Sequence, residues 1–189
     1  DGPVVEGAVG AGTGATVGKI RGLPSAMKGG IGSATVELEG PYAGARVSAL
    51  AAVNAFGDVR DPATGKIIAG ARLAPDSMEF ADTERLLKRG ARGGFTRQNT
   101  TLVVVATNAR LTKVQATKVA QLAQGGLMRT LAPAHSMFDG DVVFALSLGD
   151  RTVDVTALGV AAAEAAAQAI VRGVRSAPTL GGVPGLKQG

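Results

Sequence analysis

Apolar and polar residues are arranged in a pattern that predicts strands early in the chain. Residues 34–38 alternate, as in a half-buried strand. Residues 45–54 predict a second strand, and residues 47–53 are nearly all apolar or small, as in a central buried strand. Residues 66–97 are polar and irregular, with a possible short helix over residues 82–88. Since a long loop inside a compact domain is usually functional or disordered, this segment is a candidate for a functional role.

A run of β-branched residues then predicts a strand over residues 101–107. Thr112 is a suitable N-cap for a helix that runs to about residue 131. The expected apolar side of this helix consists of Val114, Val119, Leu122 and Leu127. The pair Gly125-Gly126 either weakens the middle of the helix or lets another element pack closely.

A last strand and a last helix follow. Residues 142–146 predict a strand, and Thr152 or Asp154 can begin an Ala-rich helix over residues 155–174. The order of elements is therefore strands, a long loop, and then strand, helix, strand and helix, without an internal repeat.

The composition limits the kinds of chemistry available. The chain has 189 residues, enough for one domain with a core, and only 3% of them are aromatic, so the core must consist of Val, Leu, Ile and Ala. The absence of Cys excludes disulfides, thiolate metal sites and a Cys nucleophile. His135 is the only His and its neighbours suggest a turn, which leaves little material for a His-based triad or metal site. We expect no metal and no organic cofactor.

The net charge of +5 does not by itself indicate a nucleic-acid partner. Its one basic cluster consists of Arg85, Lys88, Arg89, Arg92 and Arg97. Nucleic-acid binding would require stacking aromatics among these residues, so a solvated loop is the favoured interpretation. We also expect no membrane partner and a cytoplasmic location, because no apolar run approaches about 18 residues and no signal peptide is visible. The chain begins with Asp1 and not with Met, so we expect that the true N-terminus has been removed, lies elsewhere or was not included.

The junction between Asn99 and Thr100 is the main candidate site. The basic, Gly-containing loop ends there, and a strand-like run begins with a hydroxyl residue. One interpretation is an ordinary connection between a loop and a strand. The other is a self-cleaving N-terminal-nucleophile enzyme, in which a flexible loop is cut and the new N-terminus is a Thr fixed at the end of a rigid strand.

Further polar residues are candidates for the same site, each with a structural alternative. Asn54 ends a buried strand, where it either forms a turn or directs an amide N–H at a developing oxyanion. Asp139 and Asp141 either belong to a solvated Gly-centred turn or face one site, since residues two apart in an extended chain project to the same side. The Gly-dense residues 7–33 are either a dinucleotide or phosphate loop, although they lack the P-loop pattern and a clear preceding strand, or a pocket wall in which Lys19 or Lys28 supplies a positive charge. The pocket wall is the favoured interpretation.

Three blocks of sequence together resemble the L-aminopeptidase/D-Ala-esterase (DmpA-like) peptidase family. These blocks are residues 10–19 with 27–32, residues 52–57 with Asp61-Pro62, and residues 99–101 through 139–145. The family includes β-peptidyl aminopeptidases and the nylon-oligomer (6-aminohexanoate-oligomer) hydrolase. The resemblance implies an α+β fold, a four-layer αββα sandwich of the DmpA and ornithine acetyltransferase type, of which this chain lacks the N-terminal part.

The resemblance also implies roles for individual residues. Cleavage is expected at the Asn99–Thr100 bond, with Thr100 as the nucleophile and Asn54 as the oxyanion-hole residue. Asp139 and Asp141 match an acidic pair around a Gly in the nylon-oligomer hydrolase, whereas the aminopeptidases have Ser-Gly-Glu there. The hydrolase's catalytic Lys corresponds to either Lys19 or Lys28.

By the same resemblance, residues 1–99 are the C-terminal portion of an α-subunit and residues 100–189 are a β-subunit. The expected activity is hydrolysis of amide bonds in peptides or amino-acid oligomers through an acyl-enzyme. The expected partners are a small peptide or amide substrate, the remaining N-terminal part of the α-subunit, and other copies in an oligomer of processed αβ heterodimers. The alternatives are acyl transfer of the ornithine acetyltransferase kind and a non-enzymatic Gly-rich binding module.

Overall fold

The computed structural model describes residues 2–92 and 99–188, in which nine strands and three α-helices are found. The strands are β1 (Thr16–Val17), β2 (Met27–Lys28), β3 (Gly30–Glu37), β4 (Arg46–Asn54), β5 (Asp58–Arg60), β6 (Ile67–Ala69), β7 (Thr100–Ala109), β8 (Leu131–Ala132) and β9 (Val142–Arg151). The helices are α1 (Thr83–Lys88), α2 (Lys113–Thr130) and α3 (Val155–Arg175). The chain is therefore of the α+β class, as expected.

The main sheet has the strand order β3-β4-β7-β9. Strand β4 pairs antiparallel with β3 and β7, whereas β7 pairs parallel with β9, so β7 lies in the interior of the sheet. Helix α2 lies in the crossover from β7 to β9, as the parallel pairing of these strands requires. The small strands form two further sheets, β1-β2 and β6-β5-β8.

One face of the main sheet carries the core. Helices α2 and α3 pack against each other and against this face. Alternate residues of β4 and β7 point toward the helices and are buried, among them Val47, Val53, Val103 and Val105. Burying each such side chain stabilises the fold by roughly 1.5–3 kcal/mol, so these alternating positions fix the register of the strands.

The opposite face of the sheet is apolar as well. Leu50, Val104 and Phe144 lie in one row across β4, β7 and β9, because Leu50 pairs with Val104 and Val104 pairs with Phe144. Leu50 and Phe144 are 42% and 53% exposed to solvent. An apolar sheet face is what packing against a second sheet requires, and this face therefore fits an αββα sandwich in which two sheets meet.

Helix α3 is a core helix, although its composition would suit a membrane. Its 21 residues are long and apolar enough to cross a membrane by length and composition, contrary to our expectation that no run approaches that length. In the fold, 72% of its most apolar window is buried. The small side chains of the helix allow a close approach: a Cβ on Gly32 of β3 would lie 2.0 Å from the backbone oxygen of Ala169.

Several local predictions are confirmed. Thr112 caps α2, with Gln115 completing a capping box, and Asp154 rather than Thr152 caps α3.

Two predictions are wrong. Val114 is 79% exposed and lies outside the apolar side of α2, because the helix has barely begun at this position. The segment after residue 66 is less irregular than expected, since β6 pairs with β5; residues 93–98 of the basic loop, including Arg97, lie outside the described residues.

Gly126 and Gly125 offer a matched test of the close packing between α2 and α3. A Cβ on Gly126 would lie 2.4 Å from the backbone oxygen of Ala163, whereas a Cβ on Gly125 would meet only the Cβ of Ala163 at 3.7 Å. We expect Gly126→Ala to lower the free energy of unfolding by about 1–3 kcal/mol, because the helices must separate. Gly125→Ala should be neutral or stabilise by up to about 1 kcal/mol through helix propensity. Urea denaturation of both variants of the full-length protein measures this, and equal midpoints would contradict the packing argument.

Candidate active site

The candidate site lies where three strands of the main sheet begin or end. Asn54, the last residue of β4, pairs with Thr100, the first residue of β7. Asn99 forms a parallel bridge with Asp139, just before β9 begins. The strand register alone therefore brings together Asn54, Asn99, Thr100 and Asp139, which are separated by up to 85 residues in sequence.

Lys19 joins this group from the Gly-rich segment. The backbone N–H groups of Gly18 and Lys19 donate to the carbonyl oxygens of Gly57 and Phe56, which fixes the segment beside the end of β4. The Lys19 side chain is buried, and its Nζ donates to Asn54 Oδ1 at 2.7 Å, Asn99 Oδ1 at 2.9 Å and the Asn54 backbone oxygen at 3.1 Å. Burial lowers the pKa of Lys19 to about 8, although the nearby Asp139 carboxylate partly opposes the shift.

The orientation of the Asn54 amide follows from its partners. Its Oδ1 accepts from the backbone N–H of Thr16 at 3.1 Å as well as from Lys19 Nζ. Two donors on one atom identify that atom as the oxygen. The amide nitrogen therefore lies on the other side of the group, with its orientation fixed by Lys19 and Thr16.

Asn99 and Thr100 are held by contacts on both sides of the bond that joins them. Asn99 is buried, and its Nδ2 donates to the backbone oxygen of Phe138 at 3.1 Å. Its backbone carbonyl oxygen accepts from the N–H of Gly140 at 2.9 Å and from the Thr100 hydroxyl at 2.5 Å. The hydroxyl therefore lies directly beside the carbonyl group that precedes it.

Asp139 and Asp141 flank Gly140 and bind different parts of the fold. Asp139 Oδ1 accepts from the backbone N–H of Phe56 at 2.9 Å, and its Oδ2 accepts from the Ser136 hydroxyl at 2.5 Å. Asp141 Oδ1 accepts from the backbone N–H of Thr101 at 2.7 Å. Burial raises the pKa of Asp139, and the Asp141 carboxylate adds to this effect, while the hydrogen bonds from Ser136 and Phe56 oppose it.

His135 lies at the periphery of this group. Its backbone N–H donates to Asp141 Oδ2 at 3.0 Å, and its Nδ1 lies 4.0 Å from the same oxygen. The residue has a positive φ of 52°, in agreement with the turn expected from its neighbours. Ser136 was not singled out in the sequence. Its signal is the spacing Ser136-x-x-Asp139, which lets a hydroxyl reach a carboxylate three residues later in a turn.

The structure brings Lys19, and not Lys28, next to Asn54 and Asn99. Lys28 is buried as well, but its Nζ donates to the backbone oxygen of Thr13 at 2.8 Å. Burial lowers the pKa of Lys28 too. The hydrogen bond from Lys28 to Thr13 holds the part of the Gly-rich segment that lines the cleft beside the site.

A cleft of about 260 Å³ opens onto the group. Its lining consists of Ala11, Gly14, Ala15, Thr16, Lys19, Leu23 and Asn54. Lys19, Asn54 and Thr16 supply polar groups to the cleft, and small residues of the Gly-rich segment form one wall. Within residues 2–92 and 99–188, no group of three or more His, Asp or Glu side chains could hold a metal ion.

A comparison with known protein families identifies the family of this chain. The sequence model of peptidase family S58 matches residues 1–188. The chain belongs to peptidase family S58. This confirms the family expected from the three sequence blocks.

Individual relatives support the S58 assignment. An uncharacterized aminopeptidase of Mycobacterium leprae is 38% identical over 97% of this chain and 52% of its own length. A Burkholderia sp. beta-aminopeptidase structure is 28% identical, with a TM-score of 0.64, covering 99% of this chain and 52% of that one. The L-aminopeptidase D-Ala-esterase/amidase of Ochrobactrum anthropi, an Ntn-hydrolase-fold variant, has a TM-score of 0.66 at 22% identity, over 97% of this chain and 48% of that one. The S58 chain thus has this fold and spans about half the length of the relatives that it matches.

The buried Lys19 ammonium predicts a pH dependence of stability. Because its pKa in the fold is about 8 and its ordinary pKa is 10.5, the unfolded state binds more protons between these pH values, and stability rises with pH in this window. We expect Lys19 to raise the free energy of unfolding by up to about 3 kcal/mol between pH 7 and 10.5. The Lys19→Met variant should lack this pH-dependent rise.

The measurement is chemical denaturation of the full-length protein and its variants at several pH values. Lys66→Met serves as the control because Lys66 is exposed, and this variant should keep the wild-type pH dependence. Parallel curves for the wild type and Lys19→Met would show that Lys19 titrates at its ordinary pH in the fold.

Proposed function

We propose that this S58 chain is part of a self-processing N-terminal-nucleophile hydrolase that cleaves amide bonds of peptides or amino-acid oligomers. The observation that carries the proposal is the position of the Thr100 hydroxyl. It lies at the start of an interior strand and donates to the backbone carbonyl oxygen of Asn99, whose side-chain oxygen, like that of Asn54, accepts a hydrogen bond from Lys19. The names of the relatives, an aminopeptidase and a beta-aminopeptidase, agree with an amide-cleaving activity.

In the proposed first reaction, the Thr100 hydroxyl attacks the Asn99 carbonyl carbon. The acyl group moves from nitrogen to oxygen, and hydrolysis of the resulting ester releases a free Thr100. Residues 1–99 and 100–189 would then belong to two separate subunits. The chemical gain is a base next to the nucleophile, because an α-amine has a pKa of roughly 7.7–8.0 and is partly neutral near pH 7.

In the proposed second reaction, the Thr100 hydroxyl attacks the carbonyl group of a substrate that enters the cleft. The amine of Thr100 accepts the hydroxyl proton, and the Asn54 amide and the Lys19 ammonium stabilise the tetrahedral oxyanion. Each such donor contributes on the order of 3 kcal/mol. Water then hydrolyses the acyl-enzyme on Thr100.

The two carboxylates have a positioning role in this proposal. Asp141 accepts from the N–H of Thr101 and thereby fixes the backbone next to the nucleophile. Asp139 anchors the start of β9 to the segment after β4 and contributes negative charge near Lys19. After cleavage, we expect these carboxylates to orient the new Thr100 amine and its hydroxyl.

Thr100→Ala tests the nucleophile directly. We expect the wild-type full-length protein to yield two polypeptides, one of which begins at Thr100, and Thr100→Ala to remain a single inactive chain because it lacks the hydroxyl. Intact mass under denaturing conditions and amide hydrolysis are the measurements. Thr100→Ser is the matched control, since it keeps a hydroxyl and should still cleave; normal cleavage of Thr100→Ala would refute the assignment.

Lys19→Met and Lys28→Met separate two buried lysines that the sequence could not distinguish. Because Lys19 contacts Asn54 and Asn99, we expect Lys19→Met to lower kcat by about 10²–10³-fold in the processed protein. Lys28→Met should keep kcat within a few-fold of the wild type, because its Nζ contacts only the backbone of Thr13 among the described residues.

Steady-state hydrolysis of aminoacyl anilides by the processed variants measures this difference. A larger loss of kcat in Lys28→Met than in Lys19→Met would contradict the proposed role of Lys19. Adding acceptor amines to the same assay tests acyl transfer, which would give a transfer product instead of the free acid.

A further inference from the structure

We infer that Gly140 is a catalytic residue of the self-cleavage step: its backbone N–H stabilises the oxyanion that forms on Asn99, and its missing Cβ leaves the space that the Thr100 hydroxyl occupies. The inference rests on the proposed function and adds a residue to it. It gives Gly140 a role separate from that of Asn54, whose amide is assigned to the turnover of substrate.

The first support is the geometry of the donor. The Gly140 N–H donates to the Asn99 carbonyl oxygen at 2.9 Å in the uncleaved chain, and this is the oxygen on which negative charge develops when Thr100 attacks. This bond belongs to the short parallel bridge between Asn99 and Asp139, so it is also part of the sheet. A bond that pairs two strands in the ground state becomes a charge-assisted bond when negative charge develops on the same oxygen.

The second support is that the donor is held in place before any charge develops. Asp139, on one side of Gly140, binds the backbone N–H of Phe56, and Asp141, on the other side, binds the backbone N–H of Thr101. The peptide group between them therefore has little freedom to reorient. Preorganised donors of this kind lower the barrier because no reorganisation is needed when the charge forms.

The third support is the space next to Gly140. A Cβ at this position would lie 2.9 Å from the Thr100 hydroxyl oxygen, closer than real Cβ contacts allow. Gly140 is not among the glycines with a positive φ, so its backbone conformation is open to other residues. The reason for a Gly here is therefore the space that it leaves for the Thr100 hydroxyl, and not the shape of the chain.

The acyl shift from nitrogen to oxygen needs no reactant besides Asn99 and Thr100, and water enters only in the final hydrolysis. The Thr100 oxygen forms a bond to the Asn99 carbonyl carbon, and the π electrons move to the carbonyl oxygen, where the Gly140 N–H donates to them. Collapse of this intermediate breaks the carbon–nitrogen bond, and the hydroxyl proton ends on the Thr100 nitrogen. Water then hydrolyses the ester and leaves the Asn99 carboxylate and a free Thr100.

Gly140→Ala tests the space in the full-length protein. The added methyl group should displace the Thr100 hydroxyl from the Asn99 carbonyl and slow the appearance of the product that begins at Thr100 by at least about tenfold. Gly125→Ala is the matched control, because a Cβ there makes only an ordinary contact of 3.7 Å, and it should cleave at the wild-type rate. Intact mass at successive times after synthesis measures the rates.

Replacing Gly140 by glycolic acid tests the donor, because the resulting backbone ester lacks the N–H but adds no side chain. We expect this variant to cleave at Asn99–Thr100 about 10²–10³-fold more slowly. It keeps the test valid if Gly140→Ala fails to fold. Cleavage of the ester variant within twofold of the wild-type rate would overturn the inference. A wild-type protein that never cleaves at this bond would instead overturn the proposed function.

Discussion

The start of β7 is the constraint on which the rest of the site depends. This strand lies in the interior of the sheet, with β4 on one side and β9 on the other, so its first residue cannot move independently of either neighbour. The pairing of Thr100 with Asn54 brings in the end of β4, and the bridge between Asn99 and Asp139 brings in the start of β9. The hydroxyl, the amide and the carboxylates are thus placed by backbone hydrogen bonds, which define positions better than loops do.

Burying the Lys19 ammonium opposes folding. The hydrogen bonds that Lys19 forms partly offset this cost, and the same burial lowers its pKa. A buried cation requires acceptors, and Lys19 receives three oxygens from Asn54 and Asn99, with the Asp139 carboxylate nearby. Because none of these three oxygens carries a full charge, desolvation still dominates and lowers the pKa of Lys19 to about 8. The same burial that costs stability therefore provides an amine that can donate or accept a proton near neutral pH.

Local patterns in the sequence were sufficient for some of these features and not for others. Strand β4 and the capped helix α2 follow from hydrophobic period and capping residues, which are properties of a few neighbouring residues. The choice between Lys19 and Lys28 cannot be made from such local patterns. Both lysines are buried in the same Gly-rich segment, and they differ in hydrogen-bond partners that lie 15 to 80 residues away in sequence. The role of Gly140 was also not visible, since the two flanking Asp residues dominated the interpretation and the space beside a Gly is a tertiary property.

The position of the candidate bond also explains how a cut there could leave the site intact. A break between Asn99 and Thr100 would leave Asn99 with its hydrogen bonds to Gly140, Phe138 and Lys19, and it would leave β7 paired with β4 from Thr100 onward. The parallel ladder with β9 begins at Leu102, so it would also survive. The hydrogen bond from the Thr101 N–H to Asp141 would hold the new terminus at its second residue. The first residue of an interior strand can therefore be separated from the chain before it and still stay fixed by the strands on both sides.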